Sequence, residues 1–408
     1  MTKTFFGFAA LATAILSIAS GPVQAQPSST GVIAERGVYY PGTEALAEDE
    51  MRVTACGTGM PTVRPKQAAA CWLVELGNGD KFLFDIGAQS MSRIAAMKIP
   101  FDYLDKVFIG HLHLDHMADL ATLWIGGLKA NRTFPLRVWG PSGPKPELGT
   151  IASMEHMQKM YAWEIASIVG KLDDRGIKIE VNEFDYTAVN EVIYDENGVV
   201  IRSIPAVHAI DGAVSFILEW NGLKFAYSSD TSPTTWWVKY TKGVDISVHE
   251  SFAPPSTLIE KQNYSPQFAL LLSTLLHTSP VQFGKLMALT EPRLAVAYHF
   301  FNDHDTLPEQ LEEIRKVYDG PLAMAQDYMV FNITKDDIRV RMAVIDEDIW
   351  PSAPTRQKVA EEKGSETLSK FVLSGDFFME ELLTDIWNEA NKAYGSDAKL
   401  PPGGLGAQ

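Results

Sequence analysis

Three histidines and an aspartate fall within six positions, as His111, His113, Asp115 and His116, in the stretch IGHLHLDHMADL directly after an apolar run. Side chains packed that densely would repel or desolvate one another unless a cation sat between them, so a metal centre is the chemistry they point to. In an extended segment residues two apart share a face, which lets His111 and His113 grip one ion. Asp115 and His116 follow at the turn into the next helix, where the change of direction can aim them at a second ion. A helical His-Glu-x-x-His site would instead space its ligands four apart on one helix face.

The elements that must carry this cluster alternate along the chain. MRVTACGTGMP and AAACWLVELGNGDKFLFDIG read as short strands with a hairpin at Asn78-Gly79, SMSRIAAMKIP as a short helix and LDKVFIG as a buried strand. Helix, turn and strand follow in TLWIGGLKANRTFPLRVWGPSG. A helical stripe through Met154, Met157, Tyr161 and Ile165 has the composition of core or lid packing. Four β-rich stretches come next, two of them turning at Asn197-Gly198 and Asn221-Gly222, as adjacent antiparallel strands require. A helical block from Gln267 to Leu289, the strand LAVAYHF, a helix near Pro308 to Tyr318 and the strand YMVFNIT complete the alternation. The pattern divides the chain into a leader over 26–50, a domain over 51–345, and a C-terminal region over 346–408 with an amphipathic helix from Phe377 to Tyr394 and a tail.

The intact run His111-x-His113-x-Asp115-His116 resembles the signature of the metallo-β-lactamase superfamily. That resemblance implies a four-layer αββα sandwich, here with a C-terminal helical extension. It also implies two zinc ions, with iron or manganese able to replace one, and three further ligands from later strand ends. The matching positions are His208 in PAVHAIDG, Asp230 in AYSSDTSP as the residue between the ions, and His299 in AVAYHFFND. Within the superfamily the chain looks most like the ribonuclease Z and arylsulfatase branch. ACGTGMP, FLFDIG with Asp85, SSDT, VHESF and LLHTSPVQFGKLM carry that likeness, which spans roughly Met51 to Met342. It also resembles bacterial metallo-hydrolases named for guanitoxin biosynthesis. Two departures matter. Bacterial ribonuclease Z carries a long tRNA-binding arm between the positions matched by His208 and Asp230, which here stand too close for one. A carboxylate at Asp230 also departs from true β-lactamases.

On this resemblance His111, His113 and His208 hold one ion, Asp115, His116 and His299 the other, and Asp230 lies between them. Water between the ions loses its proton near neutral pH and attacks as hydroxide. Asp115 and His277 are the candidate catalytic residues: His277 either protonates the departing oxygen or caps the helix that follows it. Asp85 is expected to orient a ligating histidine, and Glu250 to stand in the same supporting role. His249 reads as structural, Trp236 and Trp237 as either a pocket wall or core, and His156 and His304 have no assigned role. The reaction expected is hydrolysis of a small ester-like substrate: a sulfate ester, phosphate ester or phosphodiester. The alternatives are a lactonase or other acyl hydrolase, and a binding protein with a decayed site.

The remaining properties bound the setting. The opening MTKTFFGFAALATAILSIASGPVQAQ, a lysine followed by a short apolar run and Val-x-Ala, reads as a secretory signal cleaved near Ala25, which predicts a periplasmic or secreted protein without stable membrane insertion. At 408 residues with 46% hydrophobic side chains the chain can bury a sizeable core. A net charge of −16 disfavours a phosphate backbone as partner, so a small-molecule substrate is expected and nucleic acid is not. The resemblance suggests a homodimer. In an oxidising compartment Cys56 and Cys71 can either bridge or remain two buried thiols.

Overall fold

A computed structural model describes residues 37–169, 174–348 and 380–399. The signal segment, the leader up to residue 36 and the tail from residue 400 lie outside the described residues. The strands are β1 (Gly37–Tyr39), β2 (Met51–Gly57), β3 (Cys71–Leu76), β4 (Lys81–Phe84), β5 (Lys106–Phe108), β6 (Leu136–Pro141), β7 (Ile179–Phe184) and β8 (Glu191–Glu196). They continue as β9 (Val199–Pro205), β10 (Val214–Trp220), β11 (Leu223–Tyr227), β12 (Ile246–Glu250), β13 (Leu294–Tyr298), β14 (Leu322–Met324), β15 (Met329–Ile333) and β16 (Ile338–Ala343).

Two mixed sheets result, one ordered β1-β16-β15-β2-β3-β4-β5-β6-β7 and the other β14-β13-β12-β11-β10-β9-β8. Strand alternation builds the layers. In β3 Trp72 and Val74 face the opposite sheet while Cys71 and Leu73 face helices, and in β13 Val296 and Tyr298 point inward while Ala295 and Ala297 point out. The space between the sheets is filled by aromatics, with Phe108 stacked on Trp139 at 4.7 Å and Phe84 tilted against Phe225 at 5.0 Å. Helices Ser90–Ala96 and Leu120–Lys129 cover one outer face; Thr235–Tyr240, Pro280–Thr290 and Leu307–Arg315 cover the other. This is the four-layer αββα sandwich expected from the sequence.

The hairpins turn where Asn-Gly pairs predicted them. Asn197 and Gly198, then Asn221 and Gly222, all adopt positive φ, the geometry whose twist matches that of the flanking strands. Other details differ from expectation. Gly37–Tyr39 of the leader is an edge strand parallel to β16. The Met-rich helix breaks at Tyr161 into Thr150–Met160 and Ala162–Ile168. The block expected to run from Gln267 to Leu289 is interrupted at His277–Ser279, with Pro280 opening a new helix under a Ser279–Gln282 capping box. Cys56 and Cys71, on neighbouring strands, are buried free thiols. Burial pushes the Cys71 thiol well up, with Cys56 beside it adding to the effect. The C-terminal helix spans Glu380–Tyr394, and among the described residues no helix is long and apolar enough to cross a membrane.

Candidate metal centre

β4, β5 and β6 run parallel in one sheet, and β11, β12 and β13 in the other, so their carboxyl ends deliver loops to one edge of the sandwich. His111 and His113 follow β5, His208 follows β9, Asp230 follows β11, and His299 follows β13 directly. Asp115 and His116 sit in the one-turn helix Leu114–Met117, with His113 as its N-cap residue. The structure brings all seven together, as two adjoining groups: His111, His113 and His208, then Asp115, His116, Asp230 and His299.

In the first group His111 Nε2 lies 2.9 Å from His113 Nδ1, which lies 3.2 Å from His208 Nε2. Nitrogens bound to one tetrahedral ion at about 2.0–2.1 Å would stand about 3.3 Å apart, so the spacing is that of a ligand set. His208 Nδ1–H is committed to Leu276 O at 2.8 Å, and His111 Nδ1 to Ser229 Oγ at 3.2 Å, which leaves the Nε2 lone pairs of both free to converge. Burial holds all three imidazoles below their ordinary pKa, so they are neutral at physiological pH.

The second group is ionic. His116 Nε2 stands 3.3 Å from both Asp115 Oδ2 and Asp230 Oδ2, and His299 Nε2 stands 3.2 Å from Asp115 Oδ2 and 3.5 Å from Asp230 Oδ1. Burial alone would raise both aspartates, but the neighbouring histidines hold them well below the carboxylate range. Conversely, burial would lower His116 and His299, yet Asp230 and its companions raise His116 well above an ordinary imidazole and push His299 up to about 10. Buried His116 Nε2 and Asp230 Oδ1 have no hydrogen-bond partner. Orphaned buried atoms of this kind, in one group with Asp115 and His299, fit a cation. Asp230 reaches both groups, since its Oδ2 is also 3.9 Å from His111 Nε2 and from His208 Nε2.

Asp85 holds the arrangement together. Its Oδ2 accepts from His116 Nδ1 at 2.6 Å, Tyr227 OH at 2.7 Å and Ser229 Oγ at 2.9 Å, and its Oδ1 accepts from Gly110 N at 2.7 Å. Asp85, Ser229 and His299 all adopt positive φ, at 55°, 49° and 68°. Three non-glycine residues in that region at one site mark backbone strain that the surrounding hydrogen bonds must offset. The glycines of the early motif serve close approach: a Cβ on Gly57 would lie 1.7 Å from Ala69 O. Thr58 O of the same motif accepts the His299 amide at 2.9 Å, while Thr58 is held by Asp327.

His277 stacks on Phe252 at 3.9 Å, and its Nδ1 donates to Glu250 Oε2 at 2.8 Å. The helix cap at this point is Ser279, so His277 is not the cap. Its Nδ1 also lies 3.7 Å from Asp230 Oδ2, and Asp230, Glu250, His277 and His299 form a third potential ligand group. Glu250 additionally takes the Thr231 amide, and the partner His277 lowers it against the effect of burial. His249 points away, its Nδ1 on Glu250 O and its ring against Trp237. Trp237 is core beneath the second sheet, and neither it nor Trp236 lines the cleft. His156 and His304 are exposed. Tyr227 and Ser229, in AYSSD, went unread in the sequence, although their position just before Asp230 was the available signal.

Comparisons with known proteins follow this geometry. The family described as Anti-Pycsar protein Apyc1 matches residues 51–251. Ribonuclease Z of Mycobacterium marinum is 29% identical over 204 residues, covering 49% of this chain and 70% of that one. The enzyme of the same name from Mycobacterium bovis is 29% identical over 204 residues, covering 49% and 69%. Among solved structures, the metallo-β-lactamase fold protein YhfI from Bacillus subtilis superposes with a TM-score of 0.52 at 17% identity, over 70% of this chain and 100% of that one. Human tRNase Z, short form, gives 0.51 at 17% identity, over 68% and 98%.

Proposed function

We propose that this chain, a metal-dependent hydrolase of the metallo-β-lactamase superfamily, is exported and holds two zinc ions with which it cleaves a small phosphodiester or phosphate ester. The observation that carries the reading is Asp230, whose one carboxylate faces both ligand groups. Charge balance supports two ions. Asp85, Asp115, Asp230 and Glu250 are all buried, and two divalent cations would neutralise these four carboxylates with every imidazole uncharged.

The ions, when bound, supply Lewis-acid charge and bring the pKa of water towards neutrality. The chain's own residues do the rest. His111, His113 and His208 present three neutral lone pairs, Asp115, His116 and His299 face the second position, and Asp230 fixes the spacing between them. His277, with Nδ1–H committed to Glu250, has Nε2 left to carry a proton to the departing oxygen. The ribonuclease Z relatives favour phosphorus as the reacting centre over sulfate, lactone or carboxylic ester. Transfer RNA is not the substrate proposed, because residues 209–229 between His208 and Asp230 are spent on the β10–β11 hairpin and leave no arm.

The test is elemental analysis of the mature protein joined to a panel of bis(4-nitrophenyl) phosphate, 4-nitrophenyl sulfate and a lactone, on wild type and His113→Ala. Two zinc equivalents and phosphodiester turnover are expected, with about one equivalent and most of the rate lost in the variant. A variant that kept both would end the assignment.

A further inference from the structure

The cleft over His111, His113 and His208, about 290 Å³ in volume, has walls whose chemistry the metal centre does not use. One wall is the end of β6 and its following loop, with Ser142, Glu147 and Leu148. The other is the loop after β9, with Ile210 and Asp211, and Leu112 lies in the floor. Among the described residues no lysine or arginine lines it. Apart from the histidines, its titratable side chains are the carboxylates of Glu147 and Asp211, neither paired with another side chain among the described residues. Leu148 and Ile210 remain 44% and 62% exposed, apolar surface left facing the opening.

These walls suit one kind of substrate. A nucleotide or oligonucleotide brings further negative charge, which two carboxylates and a chain of net charge −16 repel. A phosphoryl group can reach the ions only if the rest of its molecule tolerates that field. We infer that the cleft selects small, soluble phosphoesters whose non-leaving organic group is cationic and partly apolar, with Leu112, Leu148 and Ile210 packing its carbon and Glu147 and Asp211 answering its charge. The inference rests on the phosphodiester reading above. Exposed carboxylates act through solvent, so the two together give about a tenfold preference for a cationic over a neutral group. The volume fits a group of small-molecule size.

The experiment uses the full-length, zinc-loaded protein and three 4-nitrophenyl phosphodiesters that share a leaving group but carry choline, ethyl or 2-carboxyethyl on the other ester. The expected order of kcat/KM is choline, ethyl, carboxyethyl, with about tenfold steps, and the Glu147→Gln/Asp211→Asn double variant flattens it. A parallel arm titrates phosphocholine and 2-carboxyethyl phosphate calorimetrically, expecting the former to bind more tightly in wild type and equally in the variant. Turnover without this order, or an order unchanged in the variant, overturns the cleft inference and leaves the phosphodiesterase reading standing. Binding in the expected order without turnover of any diester does the reverse. Phosphatidylcholine vesicles, expected to be spared, separate a soluble ester from a lipid headgroup; their hydrolysis at the rate of the soluble choline diester would overturn the soluble source.

Discussion

On the two-ion reading proposed above, Asp85→Asn isolates what one buried carboxylate does for ions it would not touch. Asparagine matches its shape and tolerates the positive φ of this position, so the backbone should stay where it is. The amide nitrogen must take one of two places. At the Oδ2 position it would face three donors, from His116, Tyr227 and Ser229; at the Oδ1 position it faces one, the Gly110 amide. The second orientation wins, leaves the Gly110 N–H without its acceptor beside the amide's own two N–H groups at a cost of about 1–3 kcal/mol for each buried donor left unpaired, and replaces a charge-assisted bond to His116 Nδ1 with a neutral one. His116 Nε2 then becomes a poorer donor to its ion. Loss of such a supporting carboxylate costs about 10–100-fold in metal affinity, or about 1.4–2.8 kcal/mol. The loss should fall on one of two equivalents, the one shared with Asp115 and His299. Competition against a chromophoric zinc chelator reads it directly. Two affinities unchanged within about twofold, or a loss confined to the His111, His113 and His208 set, would refute the reasoning.

Two further predictions concern protons. In the metal-free chain His116 and His299 are raised, so their pairing with Asp115 and Asp230 stabilises the fold fully below the unfolded-state pKa of about 6.5 and is lost as pH rises through the folded value, about 10 for His299. The metal-free Tm should therefore fall between pH 7 and pH 10 while the loaded protein changes less, and zinc added at pH 7 should release up to about two protons, measurable by calorimetry in buffers of different ionisation enthalpy; a metal-free Tm that held steady over that range would contradict this. His277→Ala should slow diesters with alkoxide leaving groups by about 100-fold or more, and 4-nitrophenyl diesters far less, because nitrophenolate leaves without a proton. Equal losses on both would assign His277 to packing against Phe252 instead.

Much of this site could be read before the fold was known, and the reason is local. His111, His113, Asp115 and His116 are near neighbours along one turn, so their convergence needs almost no tertiary information, and the Asn-Gly hairpins likewise carry their geometry in two residues. The distant ligands were legible for a different reason: each ends an apolar strand, and parallel strands deliver their carboxyl ends to one edge. What escaped has no local signature. Tyr227 and Ser229 gain their roles through residues more than seventy positions away, Asp85 for both and His111 for Ser229, and Gly37–Tyr39 is a strand only because β16 runs beside it. The break at His277 did have a signal, Ser279-Pro280 followed by Gln282, but helical periodicity on both sides masked it.

That break is where fold and chemistry meet. If helix ran through residues 272–290 without interruption, Leu276 O would be spent within the helix and unable to take the His208 Nδ1 proton at 2.8 Å. Ending the helix at His277 frees that carbonyl for one ligand and turns the next side chain onto Glu250, while Ser279 and Gln282 restore the hydrogen bonds the interruption removes. A single irregularity in the helical layer thus fixes the tautomer of a candidate metal ligand and the placement of the candidate proton donor, which ties both to the same few backbone atoms.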